Sequence, residues 1–127
     1  MATMTLDDGV RASALELIEI EEVDRLLASG ETSAFTAAEL AFARARSDPA
    51  RRLAARLAAK RAAIRLLGAE LAPRDFEVVR DEHGPPSLRL SARAQERLDA
   101  LGAARLLVSL THERHHAAAL VLLLEGF

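Results

Sequence analysis

At the centre of this chain of 127 residues lies the run RLAAKRAAIR, residues 56–65, which is alanine-rich and strongly cationic. Its spacing is that of an amphipathic helix, whose apolar stripe consists of Leu53, Leu57, Ile64 and Leu67. Lys60 falls on the same stripe. A lysine on a core-facing stripe must either extend its amino group to solvent or meet an anion. The segment therefore predicts a packed helix that carries an anion-binding position.

The sequence on either side predicts helices first and antiparallel strands later, which is the arrangement of an α+β domain. We expect a strand from about residue 14 to 18, with helix as the rival interpretation, and then a helix that ends near Ser29 and Gly30. Residues 1–12 are polar, and we expect them to be flexible at the start of a single domain that spans residues 1–127.

Capping signals set the remaining helices. Thr36 and Glu39 form a predicted capping box for a helix that runs to about Arg46, and Pro49 lies in the first turn of a helix expected over residues 49–67. A helix is also expected from Ser91 to about residue 100. The expected strands are residues 76–80, 86–90, 105–111 and 117–124, with a turn at residues 81–85.

Composition excludes several classes of protein. The chain has no cysteine, which removes disulfides, thiol nucleophiles and cysteine-based zinc sites. A net charge of -2 and the absence of Trp and Tyr argue against a nucleic-acid partner. The longest apolar run, residues 117–124, is too short to cross a bilayer, and the N-terminus does not resemble a signal peptide. We expect a soluble, cytoplasmic protein.

The charges are distributed unevenly along the chain. Up to residue 40 acidic residues dominate, whereas between residues 44 and 65 a set of arginines and Lys60 faces Asp48 alone. Such an asymmetry is typical of an anion-binding face. The alternative is a solvated, arginine-rich helix that pairs with the acidic N-terminal region.

Histidines cluster near the C-terminus, where His112, His115 and His116 flank Glu113. These are residue types that bind metals, but a turn is expected between them, so their spacing favours surface histidines over a metal site. His112 itself follows Ser109 and Thr111 at the end of a strand, which is a common location for functional residues.

Six segments, in their order and spacing, resemble the small holo-acyl-carrier-protein synthases of the 4′-phosphopantetheinyl transferase superfamily. The segments are LELIEI (15–20), FTAAEL (35–40), RLAAK (56–60), FEVVR (76–80), GPP (84–86) and VSLTH (108–112). The resemblance implies an α+β fold with a long packed helix and a homotrimer with active sites at subunit interfaces. It also implies transfer of phosphopantetheine from coenzyme A to a serine of an acyl carrier protein, with Mg²⁺, in fatty acid or polyketide biosynthesis.

The resemblance also implies roles for particular residues. Lys60, Arg61 and His112 occupy catalytic positions, and Glu16 occupies the position of a metal ligand. The coenzyme A-binding positions are Arg56, Lys60, Arg65, Pro86 and His112.

The chain departs from the family pattern at two places. Glu16 stands where the family has an aspartate, and Arg61 stands where it has a glutamate that binds the metal and is a candidate base. Arg61 therefore changes the local charge by two units, which opposes Mg²⁺ binding by several kcal/mol at an effective dielectric constant of about 20. The segment that follows the first strand is acidic, with Glu21, Glu22 and Asp24, where relatives carry basic residues that dock the carrier.

Three hypotheses follow. The chain is an active transferase in which Arg61 holds the pyrophosphate in place of the metal, with Glu16 or a water as the base. It is instead a non-catalytic relative that binds coenzyme A or a carrier protein, or serves as an assembly subunit. Alternatively, the fold carries out another reaction on a carrier-bound substrate.

Overall fold

The computed structural model describes residues 9–80 and 84–125. In chain order the elements are β1 (Val10–Glu19), α1 (Ile20–Ser29), α2 (Ala37–Arg44), α3 (Pro49–Leu67), a 3₁₀ turn (Pro73–Asp75), β2 (Phe76–Arg80), β3 (Pro86–Leu90), α4 (Ala92–Ala100), β4 (Ala103–His112) and β5 (His116–Glu125). Antiparallel strands form one sheet in the order β1-β5-β4, and β2 pairs with β3. The predicted α+β class is confirmed.

Strand β1 is longer than the sequence predicted. It begins at Val10, so the predicted start near residue 14 is wrong; residues 10–12, which we expected to be flexible, belong to this strand, and residues 1–8 lie outside the described residues. Val10 lies opposite Leu124 in β5, and the Arg11 guanidinium contacts the Glu125 carboxylate at 2.8 Å. The first residues of the strand are thus held by the far end of the chain, which a local pattern cannot reveal.

The predicted capping signals are confirmed. Thr36 caps α2 by accepting a hydrogen bond from the Glu39 amide, and the Glu39 side chain accepts one from the Thr36 amide. Helix α1 ends at Gly30, whose φ of 76° lies in the left-handed region that glycine adopts without strain. Ser91 caps α4 by accepting a hydrogen bond from the Ala94 amide. The predicted turn at residues 81–85 falls largely on residues 81–83, outside the described residues.

Helix α3 occupies the predicted range and forms the centre of the core. It packs on the inner face of the three-stranded sheet, with Leu53, Leu57 and Leu67 at most 2% exposed. Alanines at positions 54, 55, 58, 59, 62 and 63 are also buried on α3. None of the described helices is long and apolar enough to span a membrane.

The opposite face of the same sheet, which we call the outer sheet face, carries exposed leucines. The exposed fractions are 64% for Leu15, 65% for Leu17, 41% for Leu107 and 39% for Leu120. Leu15 lies directly opposite Leu120 in the β1–β5 register. Because successive strand residues point to opposite faces, these leucines alternate with the buried residues that contact α3.

We expect Thr36→Ala to lower the free energy of unfolding by about 1–2 kcal/mol, because the cap of α2 is lost. The Thr36 hydroxyl also donates to Glu77 Oε2 at 2.6 Å, so the substitution removes a link between α2 and β2. Chemical denaturation measures the change. Thr32→Ala is the matched control, since the described part of the chain shows no side-chain hydrogen bond for Thr32; an equal loss in both variants would contradict the expectation.

Candidate functional site

Two neighbouring clefts share the side chains of Arg56 on α3 and Arg80 at the end of β2. The first, which we call the His112 cleft, has a volume of about 240 Å³ and is lined by Arg52, Ala55, Arg56, Arg80, Leu110, Thr111 and His112. The second, the Glu39 cleft, has a volume of about 230 Å³ and is lined by Ala38, Glu39, Phe42, Arg56, Glu77, Val78, Val79, Arg80 and Arg89.

Arg56 is the most unusual group in these clefts. It is only 4% exposed, and its Nε is buried without a hydrogen-bond partner among the described residues. Its Nη1 donates to the Arg52 carbonyl at 3.3 Å, and its guanidinium lies 4.1 Å from the centre of the Phe42 ring. The pKa of Arg56 is lowered to about 10, mainly by burial; the Glu39 carboxylate opposes this shift, and the charges of Arg80, Arg46 and Arg52 contribute to it. A buried donor without an acceptor is costly, so this side chain favours an anionic ligand.

The His112 cleft gathers arginines from two elements and a histidine from a third. Arg52 and Arg56 lie one turn apart on α3, Arg80 ends β2, and His112 ends β4. Arg52 is partly neutralised by Asp48 at 3.2 Å. The remaining charges repel one another, and a bound anion offsets this repulsion. Phosphates suit such a site because guanidinium groups match their geometry.

Lys60 lies in neither cleft. Its side chain is 0% exposed, and Nζ donates to Glu39 Oε1 and, at 2.8 Å, to the Ala34 carbonyl. The Phe35 ring centre lies 5.6 Å from Nζ. Burial lowers the pKa of Lys60, and the Glu39 carboxylate opposes this shift. The sequence allowed Lys60 either to extend to solvent or to meet an anion. In the structure Lys60 meets an anion inside the protein, the Glu39 carboxylate.

Arg61 and Arg65 point toward the acidic N-terminal region. Arg61 Nη2 donates to Glu22 Oε2 on α1 at 2.7 Å, and Arg65 Nη1 contacts Glu16 Oε1 on β1 at 3.1 Å. Arg65 also donates to the Leu15 carbonyl at 3.2 Å. The predicted pairing of the arginine-rich helix with acidic residues is therefore present at these two positions. Arg61 remains 42% exposed, which leaves some of its donors accessible.

The residues around Glu16 do not fit a magnesium ion. Mg²⁺ is bound by carboxylate and other oxygen ligands, whereas the Glu16 carboxylate already pairs with the Arg65 cation. Among residues 9–80 and 84–125 no group of three His, Cys, Asp or Glu side chains could hold a metal ion.

The C-terminal histidines also form no metal site within the described chain. His116 Nδ1 contacts Glu113 Oε1 at 2.9 Å in the exposed turn between β4 and β5. The His115 amide, and next the His116 side chain, hold the pKa of Glu113 at about 2. This carboxylate orders the turn that follows His112.

The structure therefore brings together only part of the predicted site. Arg56 and His112 line one cleft, and Pro86 pairs with Arg80 in the β2–β3 register. Lys60, Arg61, Arg65 and Glu16 lie elsewhere with acidic or basic partners. The sequence analysis did not single out Arg80 or Arg52 as site residues. Arg52 belongs to the cationic stretch of residues 44–65 and lies four residues from Arg56, and Arg80 ends the segment FEVVR.

Comparisons with known proteins identify the fold. No protein-family model matches the chain. The holo-acyl-carrier-protein synthase of Vibrio atlanticus is 40% identical over 116 residues, which covers 85% of this chain and 92% of that protein. The solved acyl carrier protein synthase of Mycobacterium tuberculosis is 34% identical with a TM-score of 0.71 and covers 93% of this chain and 100% of its own. The coenzyme A complex of the Chronobacterium ammoniagenes enzyme is 27% identical with a TM-score of 0.75, covering 91% and 97%.

This is the α+β fold of the 4′-phosphopantetheinyl transferase superfamily, as the sequence predicted. Within it, the chain belongs to the holo-acyl-carrier-protein synthase family.

We expect inorganic pyrophosphate to bind at the shared arginines and to raise the melting temperature of the protein, since a ligand that binds only the folded state stabilises it. Arg80→Gln should weaken pyrophosphate binding by about 10- to 100-fold, because a charge-assisted hydrogen bond is lost. Calorimetric titration measures the affinity. Arg44→Gln is the control, since Arg44 is exposed on α2 outside both clefts; equal weakening in both variants would disprove a specific site.

Proposed function

We propose that the protein transfers the 4′-phosphopantetheine arm of coenzyme A to a serine of an acyl carrier protein. Family membership supports this activity. The observation that carries the proposal is Arg56, a buried guanidinium that lines a cationic cleft and whose Nε has no hydrogen-bond partner within residues 9–80 and 84–125. Coenzyme A presents a pyrophosphate and a 3′-phosphate, whose oxygens would accept hydrogen bonds from these arginines.

The reaction is a phosphoryl transfer. The serine hydroxyl oxygen bonds to the phosphorus next to pantetheine, the bond from that phosphorus to the bridging oxygen breaks, and 3′,5′-ADP leaves with the bridging oxygen. The serine proton passes to Glu16 or to a water. Arg56 and His112 would bind phosphate oxygens, and Pro86 would border the ligand at the start of β3. Such positioning and charge stabilisation account for most of the catalysis in phosphoryl transfer.

The finer part of the proposal concerns Arg61. In a homotrimer with active sites at subunit interfaces, the accessible N–H groups of Arg61 from a neighbouring copy would hold the pyrophosphate where the family uses Mg²⁺, with Arg65 nearby, so that transfer would not require the metal. The contact with Glu22 fixes one edge of the Arg61 guanidinium and leaves other donors free for phosphate. Lys60 was expected to bind phosphate directly, but its complete burial supports an indirect role.

A second candidate is a non-catalytic subunit that binds coenzyme A or a carrier protein. Two observations favour it. The acidic partners of Arg61 and Arg65 already neutralise them, and Glu16, the remaining carboxylate at the expected metal position, pairs with a cation. Such a protein would bind coenzyme A at Arg56 without cleaving it.

The outer sheet face supports a homotrimer. Monomers rarely expose contiguous apolar patches, and four exposed leucines lie together on this face. A second and a third copy of the chain would cover these leucines. The cytoplasmic location expected from the sequence stays a prediction.

Mass spectrometry of apo carrier proteins incubated with coenzyme A tests the activity. We expect the carrier to gain one phosphopantetheine arm both with Mg²⁺ and with EDTA, and Arg56→Met to lower kcat/KM by about 10- to 100-fold. No mass gain with any carrier, with or without Mg²⁺, would overturn the proposal. Coenzyme A binding without transfer would establish the second candidate instead.

The same assay decides the role of Arg61. If Arg61 holds the pyrophosphate, Arg61→Glu abolishes metal-independent transfer, and Arg61→Gln lowers it by a smaller factor because no negative charge is added. If Arg61→Glu instead creates Mg²⁺-dependent transfer in an inactive protein, the chain is a synthase that lost its metal site.

We expect Leu17→Glu to convert the trimer into a monomer, because it puts a charge into a buried apolar contact. Light scattering coupled to gel filtration should give about three times 13.7 kDa for the unmodified chain and about 13.7 kDa for the variant. Ala41→Glu on the exposed side of α2 is the control and should stay trimeric. A monomeric unmodified chain would rule out the trimer.

A further inference from the structure

The Glu39 carboxylate joins three elements in the interior. It is 2% exposed, and its three donors come from different parts of the chain. They are Lys60 Nζ on α3, the Thr36 amide at the start of α2 at 2.9 Å, and the Val78 amide on β2 at 2.9 Å. Since β2 pairs with β3 on its other side, Glu39 also satisfies one backbone amide, that of Val78, at the free edge of this two-stranded sheet.

These contacts lie next to the shared arginines of the two clefts. Lys60 follows Arg56 by four residues, so the two side chains leave the same side of α3 one turn apart. Val78 precedes Arg80 by two residues, so their side chains leave the same face of β2. Glu39 therefore connects the helical turn that carries Arg56 with the strand segment that carries Arg80, and it lines the Glu39 cleft itself.

The negative charge of Glu39 alone does not explain its place beside the arginines. A carboxylate in the wall of a phosphate site repels the phosphate, so by charge alone its presence weakens binding. The pair is also far from solvent, where charges are expensive to bury. A structural role offsets both costs. Glu39 accepts hydrogen bonds from donors on three elements and thereby fixes the distance between α3 and β2.

We propose that Glu39 and Lys60 are positioning residues: their buried ion pair sets the spacing of Arg56 and Arg80 for a polyphosphate ligand, and Lys60 does not contact the ligand. This inference rests on the proposed function only in taking coenzyme A as the ligand. The spacing of Arg56 and Arg80 should matter for any ligand with a pyrophosphate group, so the inference can be tested without the transfer reaction.

Glu39→Gln gives the sharpest test, because the two interpretations predict opposite signs. If Glu39 only contributes charge, its neutralisation tightens anion binding. If it positions the arginines, the same change weakens the binding of inorganic pyrophosphate by roughly 3- to 30-fold. Calorimetric titration with pyrophosphate measures the sign. Glu21→Gln is the matched control; Glu21 is exposed on α1 outside both clefts, and its variant should bind as the unmodified protein does.

A second variant covers the case in which Glu39→Gln does not fold because Lys60 is left without its partner. The double substitution Lys60→Met with Glu39→Gln removes both charges, and replacement of both members of a buried pair is often tolerated. We expect this variant to melt cooperatively and to bind pyrophosphate roughly 3- to 30-fold more weakly. Because each residue acts only through the other, the double variant should lose no more pyrophosphate affinity than Lys60→Met alone. In the transfer assay it should raise the KM for coenzyme A and leave kcat within about threefold.

The outcomes separate this inference from the proposed function. Weaker pyrophosphate binding in the folded variants supports positioning even if the protein transfers nothing to a carrier. Unchanged or tighter binding in the double variant overturns the inference while transfer by the unmodified chain stands. Failure of the unmodified chain to bind pyrophosphate also overturns it, because there would then be no ligand for which the arginines are spaced.

Discussion

The ion pair between Lys60 and Glu39 is the contact on which the arrangement of this molecule depends. Burying two charges costs several kcal/mol per ion unless hydrogen bonds replace the lost water. Here the Glu39 carboxylate receives two backbone amides besides the ammonium group, and the ammonium group also donates to the Ala34 carbonyl. Removing either partner would leave an uncompensated charge in the core. The α2 cap, the centre of α3 and the edge of β2 are therefore specified together.

Around this pair a single helix presents cations in three different environments. Lys60 is inside the core, and Arg61 contacts an acidic side chain at the surface. Arg56 lines the clefts, and its Nε has no hydrogen-bond partner in the part of the chain that the structure describes. The spacing of four residues separates Lys60 and Arg56 by one turn, whereas Arg61 lies about 100° around the helix from Lys60. Side chains of similar chemistry are thus buried to different degrees. Arg56, which is buried beside the clefts, is the group best prepared to bind phosphate.

Local sequence patterns predicted most of the fold and only part of the site. Caps such as Thr36 with Glu39 act within one helical turn, so the sequence reveals them directly. The sequence also showed that Lys60 needs an anion or solvent. Its partner, Glu39, could not be identified, because it lies 21 positions earlier and was already assigned to the cap of α2. Arg80 ends the segment FEVVR, but no local pattern indicated that it lies beside Arg56, because their proximity depends on how β2 packs beside α3. Family resemblance indicated the positions of Arg56 and His112. The acidic partners of Arg61 and Arg65 became evident only in the three-dimensional structure.

The alanines of α3 limit how this protein can change. Alanines on its buried face meet Ala117 and Ala119 of β5, so the helix backbone lies close to the sheet with little intervening side-chain volume. Added methylenes in such a contact have no space to enter, and the helix must move away from the strands instead. Any such movement would displace Arg56 and Lys60 as well, since both belong to the same rigid rod. Selection on phosphate affinity would then act on alanines that touch no ligand, and substitutions there would be tolerated only as compensated pairs across the helix and β5.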